Sequence, residues 1–397
     1  MLPVGEVKGY KHCCLVFPDR ILPSAYIVFR DGRIDAFGKM SDAEPARLAD
    51  LEDAKNAYVL PGFVDIHCHG GVGSDVMDAS PEAMQTISCC HAAGGTTTFL
   101  ATTSAEPVEN IACAIDNVRQ CRDHLRGAQV PGMHLEGPYF NRNKKGCHRV
   151  EYVRNPNEKE YLSWLRTGLV RHITLAPELP GAETLIKECV KQGTTVSLGH
   201  SEATYQEVMQ AIRWGASHVT HMYCAMSGTV KKGYQKGGGL AEAALLEDAL
   251  TTEVIADGKH LSAELIRLVL KVKGPDKVCV VTDAMRGTGM PAGKYYFGSP
   301  RGTLAIVKEG MSVMPDGSGM ASSVCRMIDM FHYMVKQVGI DLMTASRLFS
   351  LTPAKIIRAD TFSGSIDVGK QADVIVLDNE YRLVYTVVKG KVVYQNG

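Results

Sequence analysis

The sequence predicts an α/β fold: a (β/α)8 TIM-like barrel with a small β-sandwich domain formed by both chain termini. Three observations lead there. Eight short β-branched runs alternate with amphipathic stretches through the middle of the chain, and eight strand–helix units are the count of this barrel. Five runs end at or near a residue that can bind metal or move protons: His67, Glu136, His200, His221 and Asp283. The C-terminal strand ends of a barrel form its active-site face. Both ends of the chain are rich in strand-and-turn patterns.

The chain has 397 residues, more than the roughly 250–300 that one hydrophobic core serves. Two domains are therefore expected: a discontinuous β-sandwich over 1–57 and 363–397, and a catalytic barrel over 58–362. Within the first segment, YIVFRDGRIDAFG reads as strand, Asp-Gly turn and strand. The barrel strands are placed at 59–67, 96–102, 132–136, 172–178, 194–200, 217–222, 253–258 and 278–284. Stretches such as SPEAMQTISCCHAAG and EATYQEVMQAIRWGA carry the helical period between them. The closing ADVIVLDNEYRLVYTVVKGKVVYQNG again reads as strands around turns.

Composition narrows the function classes. Apolar residues are 45% and charged residues 22%, with a formal net charge of zero; no basic block suggests a nucleic-acid partner. No apolar run approaches the ~18 residues of a membrane span. The N-terminal stretch lacks a signal-peptide pattern. The twelve cysteines show no disulfide-framework spacing, so reduced thiols and a cytoplasmic location are expected.

The stretch PGFVDIHCHG places His67 and His69 one residue apart. In a strand, such residues share a face. They read either as metal ligands or as two histidines hydrogen-bonded near a loop. Glu136, in HLEGPYF, ends an apolar run; an acid there is normally paired or metal-bound. His134 shares its face and reads as a structural neighbour or supporting partner. His200 in SLGHS and His221 in VTHMYCAM complete a set of one carboxylate and two imidazoles. Three such ligands suit zinc or a similar divalent metal and leave a position open for water. His218 reads as structural. Asp283, in VVTDAM, ends the eighth run and reads as a proton acceptor beside a metal, a further ligand, or a helix cap.

Taken together, LPGFVDIHCHG, HLEGPY, KKGCH, SLGHS, THMYCAM, ADGKH, VTDAM and GSIDVGKQADVIVLD resemble the amidohydrolase superfamily, and within it the N-acetylglucosamine-6-phosphate deacetylases. The resemblance spans nearly the whole chain. It implies Glu136, His200 and His221 as the main metal ligands, with His67 and His69 holding a second ion in some members. It implies Asp283 as the catalytic acid/base and His148 as the contact to the substrate amide carbonyl. His260 matches a residue that binds the phosphorylated end, in the family from the neighbouring subunit of a homodimer.

The expected cofactor is one or two divalent ions per subunit, zinc first, with iron, manganese or cobalt as alternatives. The expected partner is a small amino-sugar substrate, with no nucleic acid and no membrane. The implied reaction removes the acetyl group from N-acetylglucosamine 6-phosphate.

Three departures bear on the substrate. In THMYCAM, Cys224 replaces a substrate-binding asparagine beside Ala225, which is also expected at the substrate. An Arg-Glu-Pro-Gly segment is replaced by KKGYQKGGGLAEAAL, where Lys236 is the nearest cation. Arg286 adds a guanidinium expected near the mouth. The alternative reading is therefore a related amidohydrolase acting on an unphosphorylated or epimeric N-acyl amino sugar, or on an N-acyl amino acid.

Overall fold

Eight parallel strands make the barrel in this computed structural model, which describes residues 7–396. They are β1 (Phe63–Cys68), β2 (Thr96–Thr103), β3 (Met133–Glu136), β4 (Val170–Leu175), β5 (Thr195–Leu198), β6 (His218–Val219), β7 (Thr251–Ile255) and β8 (Val278–Val281). Each pairs with its neighbours in chain order. The ring closes between β8 and β1 through side chain and backbone together. The buried Asp65 carboxylate accepts from the Thr282 hydroxyl at 2.5 Å and from its N–H at 3.2 Å. The Asp283 N–H donates to the His67 carbonyl at 2.8 Å.

The intervening helices start where the sequence provides caps. The Ser80 hydroxyl accepts from the Ala83 N–H ahead of Pro81–Ala92, and Thr204 with Glu207 forms a reciprocal capping box before Tyr205–Trp214. Both arrangements satisfy N–H groups that a helix start leaves open. Phe331 and Phe349, from the last helical segments, pack on Phe63 at 5.6 and 5.1 Å, at the start of β1. That contact sits at the end of the barrel away from the site.

The run 59–67, expected as one strand, is two. Tyr58–Pro61 belongs to the terminal sheet, antiparallel to Val374–Leu377 and parallel to Cys14–Leu15. Gly62 is the crossover: a Cβ there would meet the Thr97 side chain at 2.1–2.7 Å. The barrel's own strands therefore begin at Phe63 rather than at 58.

The termini form one continuous eight-stranded sheet rather than two separate sheets. It nevertheless curls back on itself. Tyr10 and Tyr385 stack with centroids 6.2 Å apart, although two strands lie between theirs in the sheet and adjacent strands are spaced by about 4.8 Å. Tyr10, Leu15, Ile27, Phe29, Val59, Val374 and Val387 share its enclosed core. After β8 comes an antiparallel sheet absent from the sequence reading: Gly293–Phe297, Thr303–Lys308 and Met311–Val313. It brings Phe297 and the segment 318–320 to the barrel mouth.

Candidate metal centre

The candidate groups converge at the C-terminal ends of five strands. Glu136 is the last residue of β3, and His67 and His69 flank the end of β1. His200, His221 and Asp283 each lie two residues beyond β5, β6 and β8. These three have left-handed backbones, with φ of 49°, 28° and 45°, a conformation that costs a non-glycine residue roughly 1–2 kcal/mol. The reversal turns each side chain back over the strand end.

The imidazole Nε2 atoms crowd around two carboxylates. Glu136 Oε1 is 3.2 Å from His200, 3.3 Å from His221 and 3.3 Å from His67. Glu136 Oε2 is 3.2 Å from His69 and 3.0 Å from His148. Asp283 Oδ1 lies 3.4 and 3.3 Å from His67 and His69. Two potential ligand sets result: Glu136 with His200 and His221, and His67 with His69 and Asp283.

The outward ring nitrogens show which way the lone pairs face. His67 Nδ1–H donates to Glu253 Oε1 at 2.7 Å, and His200 Nδ1–H donates to the Lys144 carbonyl at 2.7 Å. Both rings therefore aim an Nε2 lone pair inward, as metal-binding imidazoles do. Yet His200 and His221 Nε2 are 3.0 Å apart, and His67 and His69 Nε2 are 3.2 Å apart. His69 and His221 have no partner at Nδ1 among the described residues, so each close pair is bridged either by an Nε2–H from that ring or by a cation shared between the two nitrogens.

The surrounding charges favour positive charge in the same place, a proton on His67 or a cation facing the neutral ring. Burial opposes a charged His67, but Glu136, Glu253 and Asp283 outweigh it and raise its pKa well above the usual value. Burial would raise the pKa of Glu136, yet His67 and His148 hold it well below the carboxylate range. For Asp283, His67 and His69 likewise outweigh burial. Ionised acids and inward lone pairs fit a divalent cation of the zinc, iron, manganese or cobalt type.

His148 is set differently. Its Nδ1 accepts the Ala105 N–H at 3.0 Å, so the ring proton is on Nε2, beside Glu136. Asp283 Oδ1 accepts from the Ser322 hydroxyl at 2.8 Å. A cavity of about 570 Å³ opens over this centre, lined in part by His148, Cys224, Ala225, His260 and Phe297. His260 donates from Nδ1 to Asp257 Oδ2 at 2.8 Å and lines the cavity of its own chain.

Two expected substrate contacts are not brought there. Arg286 is a structural tie. Its Nε donates to the Tyr296 carbonyl, Nη1 to Gly73 and Asp78, and Nη2 to Asp78 and Gly298. All five guanidinium N–H groups are consumed. Lys236 lies on the exposed hairpin Val230–Lys232 and Gln235–Gly237 and does not line the cavity.

The structure adds groups that sequence reasoning missed. Glu253, fully buried on β7, also accepts from the His221 N–H at 3.0 Å and pairs with His218 at 3.3 Å. A buried acid inside TTEVI was the available signal. His134, expected as a structural neighbour or supporting partner, meets the Thr174 hydroxyl 2.7 Å away and packs on His67 at 4.6 Å. Asp65, Cys68 and His91 also lie within ligand spacing, but Asp65 closes the barrel and His91 Nε2 lies 2.9 Å from the Gly70 carbonyl.

The amidohydrolase family profile matches residues 58–393. The chain belongs to the amidohydrolase family. It is 30% identical over 397 residues to an N-acetylglucosamine-6-phosphate deacetylase of Bacillus subtilis, covering 98% of each. It is 31% identical over 360 residues to an N-acetylgalactosamine-6-phosphate deacetylase of Escherichia coli O157:H7, covering 90% of this chain and 93% of the relative. The crystal structure of the N-acetylglucosamine-6-phosphate deacetylase from Pasteurella multocida superposes with a TM-score of 0.90 at 31% identity, covering 98% of this chain and 99% of that one. The chain is thus a hydrolase of amide bonds built on the barrel and terminal sheet described above. Among the described residues, no helix is long and apolar enough to cross a membrane.

Proposed function

We propose that this protein removes the acetyl group from N-acetylglucosamine 6-phosphate, yielding glucosamine 6-phosphate and acetate. The observation that carries the reading is the meeting, on one cavity floor, of the Glu136–His200–His221 set, the Asp283 carboxylate and the Nε2–H of His148. The similarity to deacetylases of two acetylamino-sugar phosphates supports the substrate class.

A divalent cation held by Glu136, His200 and His221, with a second position at His67, His69 and Asp283, would supply Lewis acidity, easing loss of a proton from water and polarising the acetyl carbonyl. The protein's own groups do the rest. His148 Nε2–H donates to the carbonyl oxygen and to the negative charge that develops there. Asp283 accepts the proton of the attacking water. It then delivers that proton to the amide nitrogen as the C–N bond breaks. One proton passes from water to amine, leaving acetate and the free amino sugar. A homodimer is part of this reading, tested by sedimentation.

The galactose epimer is the second reading, favoured by the Escherichia coli relative and by Cys224 at the cavity wall. The test is acetate release from both 6-phosphates, both unphosphorylated sugars and an N-acetyl amino acid. The glucosamine reading expects the highest kcat/KM on N-acetylglucosamine 6-phosphate. A clear preference for an unphosphorylated or non-sugar amide overturns it.

A further inference from the structure

Resting on the phosphosugar reading above, we propose that Arg142 and Lys144, on the loop after β3, grip the substrate's anionic end from within the same chain. Apart from Glu136 and Asp283 at the metal centre, the Asp, Glu, Lys and Arg residues lining the cavity are Arg142, Lys144 and Lys145, all cations. Among the described residues, no other acid lines the cavity to answer them.

Their hydrogen bonding separates the three. Lys145 Nζ is spent on the loop itself, donating to the Gly146 and His148 carbonyls at 3.1 and 3.2 Å. The Lys144 ammonium has no hydrogen bond or ion pair among the described residues. Arg142 makes one long contact, from Nη1 to the Val153 carbonyl at 3.4 Å. Its remaining donors are available as a fork suited to phosphate, and Lys144 adds a mobile point charge.

The loop is tied to the metal centre. The Lys144 carbonyl accepts from His200 Nδ1. The Asn141 N–H donates to the His200 carbonyl at 2.9 Å, and Asn143 Nδ2 donates to Glu202 Oε2 at 3.0 Å. The next loop continues the wall, since the Ser201 N–H donates to the Ala225 carbonyl at 3.1 Å. Ala225 itself lines the cavity, and its N–H has no acceptor among the described residues. Two unspent cations and an open N–H therefore rim the side of the cavity beside His200. A charged hydroxymethyl phosphate on the sugar would meet them there. Lys236, the cation suggested by chain position, is outside this rim.

The test uses the metal-loaded enzyme with N-acetylglucosamine 6-phosphate and N-acetylglucosamine as paired substrates. Wild type is compared with Arg142→Gln plus Lys144→Gln, with the charge-retaining pair Arg142→Lys plus Lys144→Arg, and with Lys236→Gln. Loss of charge-assisted hydrogen bonds should raise KM for the phosphorylated substrate about 10–100-fold, with kcat and metal content retained. The preference for phosphate should fall by the same factor. The charge-retaining pair should keep most of that preference, and Lys236→Gln should keep it all.

If wild type prefers phosphate and the double glutamine variant keeps that preference, the assignment to this loop is wrong while the deacetylase reading stands. Equal losses on both substrates with loss of metal would overturn it too, showing a structural loop. If wild type shows no preference for phosphate, the phosphosugar reading fails and this assignment with it.

Discussion

The Ala105 N–H donates to His148 Nδ1 at 3.0 Å, and that bond puts the ring proton on the face toward Glu136 and the cavity. A side chain on the loop after β3 is thereby tuned by a backbone group at the end of the β2 loop.

Removing that donor should remove charge stabilisation from the reaction while leaving the metal ligands in place. His148→Ala is expected to lower kcat by about 10²–10³-fold, the usual cost of one oxyanion donor, with metal content unchanged. Elemental analysis beside steady-state kinetics checks it. An unchanged kcat would remove His148 from the mechanism.

Asp283→Asn keeps shape and hydrogen-bonding capacity but cannot carry the proton. Turnover should fall by at least about 10²–10⁴-fold in protein that still binds metal. Near-normal activity in the purified variant would contradict the assigned role.

Glu253 touches no cavity space, yet it orients His67 at Nδ1 and meets the His221 N–H. Glu253→Gln should weaken divalent-metal affinity about 10–100-fold, the typical cost of losing such a supporting carboxylate. Competition against a chelator measures it, with circular dichroism confirming the fold. Affinity equal to wild type would show that His67 needs no anionic partner.

His91 links stability to acid. Burial pushes its pKa down to about 4, with Arg326 adding to the shift and the Gly70 carbonyl opposing it. The unfolded chain, with a pKa near 6.5, then binds more protons than the native state between those values. The contribution of this ring to stability therefore rises with pH across that window and is lost as pH falls from about 6.5 toward 4, by up to about 3 kcal/mol, while the buried Asp65, Asp75 and Asp373, whose pKa values burial raises, contribute with the opposite sign. In urea unfolding across the window, the stability of wild type relative to His91→Gln should fall as the pH is lowered. Parallel slopes would show that this ring does not contribute.

Gly62→Ala tests the crossover between the two sheets. Its Cβ would fall within 2.1–2.2 Å of Thr97 Oγ1 and Cγ2, so overpacking should cost about 1–3 kcal/mol. The paired change Gly62→Ala with Thr97→Ser should recover part of the loss in thermal unfolding. Full stability in the single variant would mean that the crossover has slack.

Some residues were legible because their position broke a pattern. His67 and Glu136 follow apolar runs, where a polar side chain needs a reason. Glu253 broke the pattern too, inside TTEVI, but it opens the expected run 253–258 rather than ending it. Arg286 was misplaced because it follows Asp283 so closely; in space its donors face Asp78 and three carbonyls. Arg142 carried no signal, and Lys144 only its place in the KKGCH motif, since a loop cation looks the same whether it faces solvent or a cavity.

By itself, the sequence determined the alternation of strand and helix, the β character of both ends, and the residue types delivered to the barrel mouth. Those depend on hydrophobic period and on which side chains end each run, and both are local. Only the tertiary structure decided that Tyr58–Pro61 joins the terminal sheet, which way each imidazole turns, and which cations face the cavity. Those depend on donors and acceptors far apart in the chain, such as Ala105 with His148 or Glu253 with His67. Such pairings exist only once the barrel has closed.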